Sequence, residues 1–97
     1  MKESTIEGYL RDRVKALGGK AYKFVSPGND GVPDRLVCLP GGRAVFVELK
    51  APGKKPTNMQ RFQQGKLLNL DFDVWVIDNK NGVDEFIFEM AKGRQIE

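Results

Sequence analysis

The chain has no histidine and a single cysteine, Cys38. Without histidine there can be no Ser-His-Asp triad, no Cys-His dyad and no histidine-ligated zinc. One cysteine cannot form an intramolecular disulfide, which points to a reducing, cytoplasmic setting. With no histidine to activate it, Cys38 reads as a small buried hydrophobe and not as a nucleophile. No apolar run approaches the roughly 20 residues of a membrane span. The N-terminus opens a helical pattern, not a signal peptide. Any metal must therefore be held by carboxylates, carbonyl oxygens and water, a donor set that favours Mg²⁺ or Mn²⁺.

What is present fits one small globular domain over residues 1–97. Hydrophobic residues make up 40% and charged residues 30%, an ordinary folded composition. The net charge of +3 is compatible with a polyanionic partner without demanding one. Helical spacing of Ile6, Tyr9, Leu10, Val14 and Leu17 predicts a helix over 3–17. Ser4 or Thr5 would cap it, Glu7 stands at capping-box spacing from Ser4, and Gly18-Gly19 would stop it. A short strand is expected over 21–25, then a loop over 26–32 rich in glycine, proline and Asn-Asp. Residues 34–39 and 43–50 read as a hairpin turned at Pro40-Gly41-Gly42. Both strands are apolar on both faces, which places them inside a sheet covered on two sides. Thr57 is a good N-cap for a helix to about Leu70, with Met59, Phe62, Lys66, Leu67 and Leu70 near one stripe. A buried strand over 73–77 and a turn over 78–82 follow. Residues 83–91 fit a helix better than an edge strand. The order is helix, three strands, helix, strand, helix, with the last strand returning parallel through a right-handed crossover. The expected fold is an α/β sandwich: a central mixed sheet flanked by helices.

Chemistry concentrates in Pro33-Asp34 and in Glu48-Leu49-Lys50. Side chains alternate along a strand, so Glu48 and Lys50 share a face. A carboxylate and an ammonium side by side at a strand end can hold a metal ion and steer a water, the equipment for metal-assisted phosphodiester hydrolysis. Hairpin register decides whether Asp34 joins them. A two-residue loop would pair Arg35 with Glu48 and turn Asp34 to the opposite face. A three-residue loop pairs Leu39 with Arg43 and hence Asp34 with Glu48, with Cβ atoms roughly 5 Å apart. Two carboxylates that close repel unless a cation lies between them. The plain alternative makes Asp34 a turn residue and Glu48–Lys50 a surface ion pair. Against it, Glu48 follows the apolar run Ala44-Val45-Phe46-Val47, where an acid needs compensation.

Pro33-Asp34 with Glu48-x-Lys50 resembles the motif of the PD-(D/E)-x-K nuclease superfamily. The longer set is similar to the virus-type replication–repair nuclease (VRR-NUC) domain: Gly31-Val-Pro-Asp-Arg35, then Phe46-Val-Glu-Leu-Lys-Ala-Pro-Gly53, then Pro56-Thr57 and Gln60. The match runs from about Ile6 to Phe88. The resemblance implies a restriction-endonuclease-like α-β-β-β-α-β core and a divalent-metal-dependent DNA nuclease. It implies that Asp34, Glu48 and the backbone carbonyl of Leu49 ligate the metal. Lys50 would orient or deprotonate the attacking water and stabilise charge on the phosphate. Glu7 matches the family's acidic position on the first helix and would join the metal shell, with Glu3 ranked behind it; its capping-box role remains an equal alternative. Gln60 matches the family's helix glutamine, which would contact water or phosphate.

DNA binding would rest on phosphate contacts from Lys54, Lys55, Arg35, Lys20 and Lys23. Each of these is alternatively a solvated surface charge. Tyr22, Phe24 and Trp75 read as core residues, not stacking platforms, and Asn29 and Asp30 shape the loop before Pro33. Stand-alone short relatives are similar to Holliday-junction resolvases, which implies a homodimer acting on four-way junctions in a bacterial or phage-infected cell. Phe86, Phe88 and Met90 are the candidate interface. Two other functions fit the same fold: a catalytically silent DNA-binding module, and a restriction-type nuclease with sequence preference. The intact Asp34, Glu48 and Lys50 argue against the first, and the short chain against the second.

Overall fold

The computed structural model describes residues 1–93. Helix α1 spans Glu3–Ala16, strand β1 Lys20–Lys23, β2 Arg35–Leu39, β3 Arg43–Leu49, helix α2 Asn58–Asn69, β4 Val74–Ile77 and helix α3 Lys80–Gly93. The four strands form one sheet in the order β1-β2-β3-β4. Strands β1 to β3 pair antiparallel, and β4 returns parallel to β3 after the α2 crossover.

Leu39 pairs with Arg43 and Arg35 with Val47, the register of the three-residue turn. Gly41 and Gly42 turn the chain with φ of 86° and 77°, which other residues adopt only at a cost. Continued by one residue, this register sets Asp34 opposite Glu48.

Alternation divides the sheet into two faces. Val37, Val47, Leu49 and Ile77 share one face and are buried with Ile6, Leu10 and Val14 of α1 and Val83, Phe86 and Met90 of α3. Leu36, Phe46, Glu48, Val74 and Val76 share the other, on which α2 lies. There Phe46 meets the rings of Phe24 and Phe72 edge-on, each at 5.5 Å between centroids. Arg43 ties the start of β3 to the end of α3 by donating to the Met90 carbonyl at 2.6 Å.

Several local expectations are corrected. The N-cap of α1 is Lys2, with no side-chain hydrogen bond, because Glu7 is drawn into a distant ion pair instead of a capping box. Strand β1 begins one residue earlier than expected and ends two earlier. Helix α3 starts at Lys80, where a turn was expected, because the Asn79 side chain accepts from the Gly82 N–H at 2.7 Å and caps it. No residue of α2 is buried, and Met59, Phe62 and Leu70 of its apolar stripe are exposed. Tyr22 is 49% exposed on the edge strand, with the Lys20 ammonium 5.1 Å from its ring centre, so it is not a core residue. Cys38 is only half-buried.

Candidate active site

Strand β3 delivers Glu48 and Lys50 to the α2 face of the sheet, at the end where Asp34 enters β2. The Glu48 residue is 3% exposed. Its Oε2 accepts a hydrogen bond from Gln60 Nε2 at 2.9 Å and lies 3.8 Å from Lys50 Nζ. Its Oε1 is buried without a hydrogen-bond partner among the described residues. Asp34 is half-buried, and its Oδ1 accepts from the Leu49 N–H at 2.9 Å. That bond holds the Pro-Asp segment against the end of β3.

Gln60 is placed by local chemistry. Thr57 caps α2, accepting from the Gln60 N–H, while Gln60 Oε1 accepts from the Thr57 N–H. This capping box consumes the carbonyl end of the side chain and aims its amide nitrogen at Glu48. The preceding loop is packed onto α2. Gly31, at φ 89°, lies so close that a Cβ there would meet Met59 backbone at 2.8 Å, and Gln63 donates to the Asp30 carbonyl at 3.2 Å.

Electrostatics follow from this crowding. Burial raises the Asp34 carboxyl above its ordinary value, and the Leu49 N–H opposes the rise. Burial first, then the Asp34 charge, push Glu48 up to about 7, and Lys50 only partly offsets this. Glu3 adds to the rise at both carboxyls. Of Glu3 and Glu7, it is thus Glu3 whose charge is felt at the pair.

Glu7 has another partner. Arg35 points to the α1 face of the sheet, 7% exposed, where it donates to the Ala21 carbonyl and pairs with Glu7 Oε2. Arg35 is consequently an internal tie between α1, β1 and β2, not a surface phosphate contact. Among the described residues no three acidic or cysteine side chains converge into a group that could hold an ion. Glu7 is not brought to Asp34 and Glu48 as a third ligand, because its carboxylate is committed to Arg35. Lys54 and Lys55 are exposed on the loop between β3 and α2, which is pinned by the Gly53 N–H to Asp78. Lys20 and Lys23 are exposed on edge strand β1.

The pair nevertheless suits a hard cation. A buried and a half-buried carboxylate face one another, one oxygen has no partner, and every donor at hand is oxygen. A cation between them would relieve both the repulsion and the burial.

A mixed four-stranded sheet with acid, acid and lysine at one strand end defines an α/β domain of the restriction-endonuclease-like type. No protein-family model matches the chain. A solved structure described as a VRR_NUC domain superposes with a TM-score of 0.84 at 34% identity, covering 90% of this chain and 95% of its own. A protein of Acyrthosiphon pisum secondary endosymbiont phage 1, named "Putative nuclease p44", is 51% identical over 81 residues, or 84% of this chain and 87% of its own. The chain belongs to the VRR-NUC family.

Proposed function

We propose that the chain, as one nuclease domain over residues 1–97, is a divalent-metal-dependent, structure-selective endodeoxyribonuclease. Its reaction is hydrolysis of DNA phosphodiester bonds in replication, recombination or repair. Four-way junctions are the substrate, cut in the manner of a Holliday-junction resolvase by a homodimer in the cytoplasm of a bacterial or phage-infected cell. The observation that carries this reading is Glu48: a buried carboxylate with an unpartnered oxygen, facing Asp34 and flanked by Lys50. Sheet burial of such a group stabilises nothing by itself and is costly unless a cation completes it. Membership of the VRR-NUC family and the phage relative's name support the same chemistry.

Water adds at phosphorus as one P–O bond breaks; the proton that the water loses passes to solvent and the departing oxygen takes one up, leaving a phosphate monoester and a hydroxyl. Mg²⁺ or Mn²⁺, held by Asp34, Glu48 and the Leu49 carbonyl, would supply positive charge against the phosphate oxygens. Lys50 orients the attacking water and stabilises charge gathering on the phosphate. Gln60 holds Glu48 in its rotamer through Nε2. Lys54 and Lys55 hold flanking phosphates. Arg35 and Glu7 lock α1 to the strand that presents Asp34.

The test is cleavage of labelled four-way junctions and linear duplexes in Mg²⁺ or Mn²⁺. Wild type should nick the junction, and Asp34→Ala, Glu48→Ala and Lys50→Ala should each lose on the order of a hundredfold or more. Equal cleavage by wild type and Lys50→Ala would remove the mechanism. Binding without cleavage in every metal would make the protein a silent DNA-binding module.

A further inference from the structure

Residues Glu3, Glu7, Arg11 and Lys15 stand four apart on α1, so they form one ridge along the helix. Its sign changes midway. The acidic end reaches the catalytic end of the sheet, where Glu7 holds Arg35, the residue after Asp34. The basic end borders a cavity of about 310 Å³ between α1 and β1, lined by Arg11, Lys15, Gly19, Lys20 and Ala21. Ala21 and Lys23 alternate onto the same face of β1, the face covered by α1. Lys23 lies on that face two residues beyond Ala21 and pairs in register with Arg35.

Arg11 and Lys15 are exposed, and among the described residues neither forms an ion pair. Like charges four apart on a helix destabilise it slightly, and an anion in the cleft would reverse that. Lysines on an edge strand also discourage edge-to-edge association, which accounts for Lys20 and Lys23. It does not account for two helix cations at the mouth of a cavity.

We propose that the α1–β1 cleft is a binding subsite for the phosphodiester backbone of the DNA substrate, made by Arg11 and Lys15 with Lys20 and Lys23 at its rim. It rests on the DNA-cleaving reading above and extends it to the side of the site away from Lys54 and Lys55. At about 1.5 Å per helical residue, Arg11 and Lys15 lie about 6 and 12 Å beyond Glu7 along α1. One strand of duplex carries a phosphate per about 3.4 Å of axis, so Arg11 and Lys15, about 6 Å apart, match roughly two successive phosphates. A duplex engaged at the carboxylate pair is thereby contacted at two places, at the β3–α2 loop and, on the α1 side of the sheet, at the cleft. The contacts are to backbone, so they carry no base preference.

The experiment is binding of a fluorescent duplex in Ca²⁺ across a NaCl series, with cleavage in Mg²⁺ or Mn²⁺ measured on the same preparations. Arg11→Gln with Lys15→Gln should weaken binding equally for unrelated sequences. It should also flatten the slope of log K against log salt by about 2, roughly one per lost phosphate contact. Its melting temperature should match wild type, since both residues are exposed. Lys80→Gln with Lys92→Gln removes the same charge from α3 and should leave the slope unchanged. An unchanged slope in the cleft variant, or an equal loss in the α3 variant, would overturn the subsite. So would displacement of the duplex by inorganic phosphate at micromolar concentration, which would make the cleft a small-anion site. A wild type that binds the duplex with the predicted slope dependence but never cleaves would defeat the nuclease reading and leave the subsite standing.

Discussion

Glu48 is a carboxylate placed where water scarcely reaches it, and its titration is therefore linked to folding. Its folded-state value is pushed up to about 7 from an ordinary 4.5, so the folded protein holds this proton more tightly than the unfolded chain does. The stabilising effect of the bound proton is complete below about 4.5 and is lost as pH rises through about 7. Glu48→Gln keeps the shape and removes the charge. The stability of the variant minus that of wild type should be small at pH 5 and grow toward pH 8, by at most about 1.4 kcal/mol per pH unit across that window. Denaturant melts in EDTA at the two pH values measure it, and a pH-independent difference would refute the assignment. Mg²⁺ or Mn²⁺ should restore wild type at pH 8 and leave Glu48→Gln unmoved. Much of this site was legible as residue types. Pro-Asp and Glu-x-Lys stood out by spacing, while the turn Pro40-Gly41-Gly42 left two registers open, of which the structure takes the one that opposes Asp34 to Glu48. The partners of Glu7 were not legible. A buried arginine 28 residues away outcompeted the capping box that Ser4 offered, and only the packing of α1 on β2 brings them together. The same packing hides Arg35, which by composition alone looked like one more phosphate contact.

Helix α2 acts on the site through its first turn. The Thr57 cap was readable because local chemistry decides such motifs, and the structure adds Gln60 as the partner that closes the box. What that box aims at was not readable, since Glu48 comes from another element. Thr57 and Gln60 should therefore separate by function. Thr57→Ala should cost about 1 kcal/mol of stability, the usual loss for a cap, and cleavage at saturating metal should change little. Gln60→Ala removes the box and also the hydrogen bond to Glu48 Oε2. It should lower stability at least as much and also weaken Mn²⁺ affinity, which titration calorimetry resolves from folding. Equal metal affinity in the two variants would show that Gln60 serves only the helix. Helix α3 teaches the complementary lesson: its apolar spacing favoured a helix over an edge strand, but its start at Lys80 lay in a run that reads as a turn.

At the scale of the whole molecule the two faces of the sheet are unequally covered. Helices α1 and α3 cover most of one face, and they take Phe86 and Met90 into that core at 0% and 6% exposure. Those two residues cannot form the interface that the sequence suggested, and Phe88 alone of that set is exposed. Exposed apolar side chains gather instead on the other side: Met59, Phe62, Leu68 and Leu70 around α2, Phe72 after it, and Val76 on β4. Strand β4 is also an edge of the sheet, so this surface combines an open edge with an uncovered helix stripe. Periodicity could not reveal this, because a stripe that meets a partner and a stripe that meets the core have the same spacing. Two-fold pairing through α2 and β4 would bury the patch against its own copy and set two Glu48 sites in one particle, as a four-way junction with two strands to cut requires. Light scattering should give twice the protomer mass for wild type. Phe62→Glu with Val76→Asp alters only exposed positions, so the protomer should fold and run as a monomer. On a four-way junction that monomer should make single nicks where wild type makes paired ones. A monomeric wild type would exclude the dimer, and a variant that stays dimeric would move the interface off α2 and β4.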